Sequence, residues 1–104
     1  MRSDEVDAVA GERQRLDKWL WFARLAKTRK DAVRLVEDGY VRIDARRAAA
    51  PAKSVGPGDV LTIALEREVR VLRVLGIAAR RGPSREARRL FEDITQDMSD
   101  AADD

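Results

Sequence analysis

The stretch Arg15-Leu16-Asp17-Lys18-Trp19-Leu20-Trp21-Phe22-Ala23-Arg24, continued by Lys27-Thr28-Arg29-Lys30 and closed by Gly39-Tyr40-Val41-Arg42-Ile43, decides the fold. Leu16, Trp19, Leu20 and Ala23 recur at helical spacing, and Phe22 and Ala26 widen the same stripe. Asp17 lies in the first turn, where an acid suits the helix dipole. Thr28 is a good N-cap for a second helix, and Asp31 three residues later stands where a capping box has its acid. Ala32, Val33, Leu35 and Val36 supply the apolar side of that helix, Lys30 and Arg34 share the other side one turn apart, and Gly39 stops it as the C′ residue. Val41 and Ile43 then alternate with Arg42 and Asp44, the period of a half-buried strand. The expectation is two helices, a short basic elbow at about Lys27 and Thr28, and a strand. Amides at a helix N-terminus favour anions, so this elbow is a candidate phosphate site.

Beyond the strand, residues 45–55 read as a polar, alanine-rich connection with Pro51, Lys53 and Ser54. Gly56-Pro57-Gly58-Asp59 is a strong turn, and Val60, Leu61, Ile63 and Leu65 make a strand. Glu66-Arg67-Glu68 connects it tightly to a second strand over 69–74. Arg67, Arg70 and Arg73 are expected to point to solvent, as a plain solvated face or as RNA contacts. Ser84 is expected to cap a last helix through Ala87, Leu90, Phe91 and Ile94, with Arg85, Arg88 and Arg89 outside. The loop Arg80-Arg81-Gly82-Pro83 is open to either role.

At 104 residues the chain has room for one small domain. It has no cysteine, so a core rather than disulfides must hold it, and no histidine, the commonest general base and metal ligand. No apolar run is long enough to span a bilayer, so a cytoplasmic location without membrane contact is expected. The net charge of +2 hides a segregation: residues 15–91 hold 19 bases and 9 acids, a net of +10, between acidic ends. Residues 1–14 read as a disordered acidic arm, 15–95 as the domain, and 96–104 as a disordered acidic tail. Folding of the acidic end back onto the basic face is one idea, although solubility is the simpler account. A basic body attracts polyanions, and nucleic acid is the commonest.

The chain carries no phosphate-binding glycine loop, no nucleophile with a base and no carboxylate cluster suited to a metal. The reading is of a binder rather than an enzyme, with no cofactor and no metal. Trp21, off the main apolar stripe beside a lysine, is a candidate for base stacking, although burial of a second helix face is the favoured account.

Arg15-Leu16-Asp17-Lys18, Lys27-Thr28-Arg29, Gly39-Tyr40-Val41-Arg42-Ile43 and Gly56-Pro57-Gly58-Asp59-Val60, in this order and spacing, resemble the successive blocks of the S4 RNA-binding domain, the alpha-L motif. With the loop at 80–84 and its helix, residues 15 to 95 resemble the ribosome-associated fifteen-kilodalton heat-shock protein family. The resemblance implies an α+β domain in which two N-terminal helices pack on a small antiparallel sheet closed by a C-terminal helix. It further implies binding to structured rRNA on free large ribosomal subunits that still hold peptidyl-tRNA, in quality control of stalled translation. Arg15, Lys18, Lys27, Thr28, Arg29 and Arg34 fall where the S4 module meets RNA backbone, and Lys30 joins them as a ridge with Arg34. Thr28 has a second account, as a helix cap alone.

Two departures stand out. The acidic C-terminal end replaces the basic extension of longer family members. Asp44-Ala45 stands where Asn-Gly is usual, which predicts a longer or reshaped loop because alanine resists positive φ. Contact with about five or six phosphates would give log affinity against log salt a slope near −4 to −5. The alternatives are a DNA-binding regulator, since two helices on a short turn imitate a helix-turn-helix, and an accessory RNA-binding subunit of an RNA-modifying enzyme. The elbow is shorter than the usual helix-turn-helix turn and no dimerisation element is evident, so a monomer is expected.

Overall fold

In the computed structural model, residues 12–96 are described. The remainder of the acidic arm and tail lies outside the described residues, and with it residues 97–104 of the acidic segment 92–104 whose folding back was one idea.

The chain runs β1 (Gln14–Arg15), α1 (Leu16–Phe22), α2 (Arg29–Glu37), β2 (Val41–Ile43), β3 (Arg46–Arg47), β4 (Ser54–Val55), β5 (Val60–Ala64), β6 (Val69–Val74), α3 (Ser84–Ala87), a 3₁₀ turn (Arg88–Leu90) and β7 (Phe91–Asp93). Five strands form one antiparallel sheet in the order β3-β2-β5-β6-β7, while β1 and β4 pair as a separate ribbon. The architecture is α+β, as expected. Leu61 and Ile63 alternate with half-buried neighbours along β5, and Leu61 faces Leu72 of β6 across the ladder. That sheet face meets Leu16, Trp19 and Leu20 of α1 and Ala32 and Val36 of α2 in one apolar core. Trp19 is fully buried at its centre, donating Nε1–H to the Gly76 carbonyl (2.9 Å) and meeting the Phe91 ring edge to face at 6.2 Å.

Several expectations change. The first helix ends at Phe22, not at Ala26, because Arg24 takes a left-handed φ of +63°. The link to α2 is therefore residues 23–28, longer than the elbow expected from Lys27 and Thr28 alone. Its shortness no longer counts against a helix-turn-helix. Asp44-Ala45 makes a tight two-residue turn after all, with Ile43 paired to Arg46. Asp44 carries the positive φ (+57°), which an acidic side chain tolerates, and Ala45 is spared it. The connection at 45–55 contains two short strands, β3 and β4.

The last helix is a single α turn with Pro83 rather than Ser84 at its N-cap position and no side-chain cap. A 3₁₀ turn follows, and Phe91 then swings into a strand that adds β7 to the sheet edge. This rearrangement explains Arg70 and Arg73. Instead of lying free, they pair with Asp93 (2.8 Å) and Glu92 (2.7 Å) across the β6–β7 ladder. The Asp93 carboxyl is lowered to about 2 by hydrogen bonding from the Thr95 side chain and backbone N–H, with Arg70 adding to the effect.

Candidate nucleic-acid interface

The site is built where α1, α2 and the loop before β4 converge. Leu16 and Asp17 donate their backbone N–H groups to the carbonyls of Lys53 (2.8 Å) and Pro51 (3.1 Å), so that loop fixes the start of α1. Asp17 is the one buried charged side chain among the described residues, 1% exposed. Its carboxylate accepts two hydrogen bonds from the Arg15 guanidinium, at 3.1 and 3.0 Å, and one from the Lys18 backbone N–H at 2.7 Å. Arg29, the first residue of α2, completes the cluster with Nη2 3.7 Å from Asp17 Oδ1. A forked guanidinium held on one edge keeps its other donors for a second anion. Arg15 and Arg29 are half exposed, so the buried acid aims two arginines that solvent and ligand can still reach.

Thr28 caps α2 by accepting the Asp31 N–H at 3.0 Å. This supports its structural account, and the residue is exposed. Lys27, Lys30 and Arg34 are exposed, and Lys27 and Arg34 line one shallow groove with Tyr40, whose wall also carries Asp31 and Asp38. At the far end the chain leaves α2 by a Schellman motif: Gly39 (φ +86°) donates to Val36 O at 3.0 Å and Tyr40 to Leu35 O at 2.9 Å. Lys18 sits apart from the others, half buried, with Nζ 5.8 Å from the Phe22 ring centroid.

The structure thus brings Arg15 and Arg29 into one cluster around Asp17, continues it along α2 through Lys30 and Arg34, and places Lys18 at its margin. It also adds residues that sequence reasoning passed over. Arg42, Arg46, Arg47 and Lys53 are exposed around the β2–β3 hairpin, and Arg46, Arg47 and Lys53 line an open cavity of about 580 Å³. Arg47 lies against Gly39, where a Cβ would come within 2.9 Å of its guanidinium carbon, and donates to the Glu37 carbonyl at 3.3 Å. The hairpin is thereby tied to the C-terminal end of α2, where a cation is favoured. Asp44, a residue able to enter a left-handed turn, was the sequence signal for it. Trp21 is half buried against the core, with Arg81 5.9 Å from its ring centroid, in accord with the packing account.

Asp17→Asn tests the cluster. The change raises net charge, so plain electrostatics would strengthen anion binding. Loss of the anchor for Arg15 and Arg29 is expected to weaken RNA binding about threefold or more, at a stability cost of about 1–2 kcal/mol. Parallel binding titrations and thermal melts check it; tighter RNA binding would refute the positioning role.

The S4 domain model matches residues 14–61. Heat shock protein 15 of Escherichia coli (strain K12) is 37% identical over 84 residues, covering 81% of this chain. The chain spans 62% of the length of that relative. Small ribosomal subunit protein uS4 of Staphylococcus haemolyticus is 43% identical over 49 residues, 47% of this chain and 24% of that protein. The trimeric structure of Vibrio cholerae heat shock protein 15 matches with a TM-score of 0.78 and 35% identity, over 86% of this chain and 89% of that one.

Proposed function

Because the chain belongs to the heat shock protein 15 family and carries an S4 domain, we propose that it binds structured RNA on the ribosome, in the cytoplasm. The finer reading is that it recognises free large subunits still holding peptidyl-tRNA and acts by binding rather than by catalysis. The observation that carries the proposal is the pair Arg15 and Arg29 held on a buried Asp17 beside the N-terminal end of α2, with Lys27, Lys30 and Arg34 exposed along it. A-form RNA is recognised through shape, phosphates and 2′-hydroxyls, and a fixed set of forked donors suits that chemistry. Lys18 is proposed as a peripheral contact, and Thr28 as the cap that orients Arg29.

The test is co-sedimentation of the protein with large subunits bearing peptidyl-tRNA, with vacant large subunits and with small subunits, each with duplex DNA as competitor. Selective retention by the peptidyl-tRNA-bearing large subunit, resistant to DNA, is the expected result. Equal binding to every particle refutes the large-subunit reading, and displacement by DNA refutes RNA recognition. Analytical ultracentrifugation of the free protein fixes whether the binding unit is one chain.

A further inference from the structure

The link between α1 and α2 faces a second group of arginines that the site above does not use. Arg24, at the apex of the link, holds a left-handed φ that penalises any residue with a Cβ. Its Nε–H donates to the Gly82 carbonyl at 2.8 Å, which ties the link to the loop before α3. Arg81 fastens the same loop from the other side, donating to the Trp21 carbonyl at 3.1 Å and the Ala26 carbonyl at 3.5 Å. The loop and the short helical segment behind it are thus fixed against residues 21–26, immediately before Lys27. Arg24 and Arg88 line one open groove of about 500 Å³ together with Ser84 and the Arg70–Asp93 ion pair, so three arginines face one acid there. Arg85, Arg88 and Arg89 are all exposed on the α3 and 3₁₀ segment. No ion pair engages any of the three among the described residues, and the nearby Glu86 lies 4.0 Å from Arg80.

We propose that Arg24, Arg85, Arg88 and Arg89 form a second RNA-backbone surface, joined to the first through the link at 23–28, so that one chain holds two helical segments of a folded RNA. The proposal rests on the RNA-binding function above. Phosphate is the favoured ligand because the cluster is made of guanidinium forks, which match phosphate geometry, and because the basic body continues from one cluster to the other without an intervening acidic surface on the link.

The experiment compares a hairpin RNA with one helical arm and a three-way-junction RNA, titrated against the protein at several salt concentrations. Wild type is expected to prefer the junction. In Arg85→Gln/Arg88→Gln/Arg89→Gln the junction affinity is expected to fall about tenfold or more, and the salt slope to lose roughly 0.7 to 0.9 per contact removed, with hairpin binding unchanged. The triple variant should keep the melting temperature, because Arg85, Arg88 and Arg89 are exposed and in no ion pair among the described residues, and melts run alongside separate binding from folding. Unchanged junction binding in the triple variant, while Arg29→Glu/Arg34→Glu loses both RNAs, overturns the second surface and leaves the first intact. Equal losses on both RNAs place these arginines in the first site and overturn it too. Retained RNA binding with lost binding of a labelled polyglutamate peptide assigns the surface to an acidic protein instead. Failure of wild type to bind either RNA refutes the function proposed above rather than this division of it.

Discussion

Arg29→Glu/Arg34→Glu is expected to weaken binding to structured RNA about 100-fold or more at moderate salt, equivalent to about 2.7 kcal/mol, and to make the salt dependence shallower by roughly 2. Both side chains project from α2, Arg34 exposed and Arg29 half exposed beside Asp17. On the proposed function, reversal removes two phosphate contacts and adds two negative charges to α2, one at its start beside Asp17 and one in its last turn. Arg34→Glu should cost only about 0.5–1 kcal/mol, because the position is exposed and what it loses is a cation in the last turn of α2. Arg29→Glu differs, since a carboxylate there would face the buried carboxylate of Asp17 across the 3.7 Å now spanned by an ion pair. The single variants, with Arg29→Gln as the neutral control, therefore separate lost RNA contact from lost fold. Anisotropy titrations at several salt concentrations, with melts alongside, provide the readout. An unchanged dissociation constant and slope in Arg34→Glu and in the double variant would remove α2 from the interface.

Trp19→Ala is expected to destabilise the fold by about 3–5 kcal/mol. Small domains have only about 5–15 kcal/mol in total, so much of the population would unfold near physiological temperature. For a domain of this size the melting temperature should drop by about 12 °C or more. Trp19 fills the space between α1 and the sheet, its indole N–H holds the chain leaving β6, and its ring edge meets Phe91 of β7. One side chain thus joins the first helix to the last strand. Trp21→Ala is the contrast: half buried, under Arg81 and tilted on Phe22 at 5.5 Å, it should cost about 1–2 kcal/mol. Denaturant unfolding of the two variants gives the comparison, and equal losses would show that the core is not centred on Trp19.

The same contrast explains what was legible beforehand. Helical spacing of Leu16, Trp19 and Leu20 named the buried face of α1, since a period of 3.6 leaves one stripe that must be covered. Thr28 and Gly39 marked the ends of α2 because capping and left-handed termination are local chemistry, settled within one turn of chain. The β5–β6 hairpin was legible for a similar reason, as alternating β-branched residues around a short polar connection. The basic character of the elbow followed from residue order alone.

What the sequence hid depends on partners far along the chain. Ala87, Leu90, Phe91 and Ile94 have perfect helical spacing, yet Phe91–Asp93 is a strand, because the open edge of β6 offers ladder hydrogen bonds and Arg70 and Arg73 stand opposite Asp93 and Glu92. Nonlocal pairing outweighs a local preference of a few tenths of a kcal/mol per residue. Arg24 ends α1 early because the loop at Gly82 captures its side chain 58 residues away. Asp17 in sequence was a favourable first-turn acid; only packing buries it and points Arg15 and Arg29 onto it. Local periodicity and capping therefore determined which elements this chain forms at its N-terminal half and where its positive charge lies. Tertiary structure decided how that charge is aimed, because burial and long-range ion pairs exist only once distant segments are brought together.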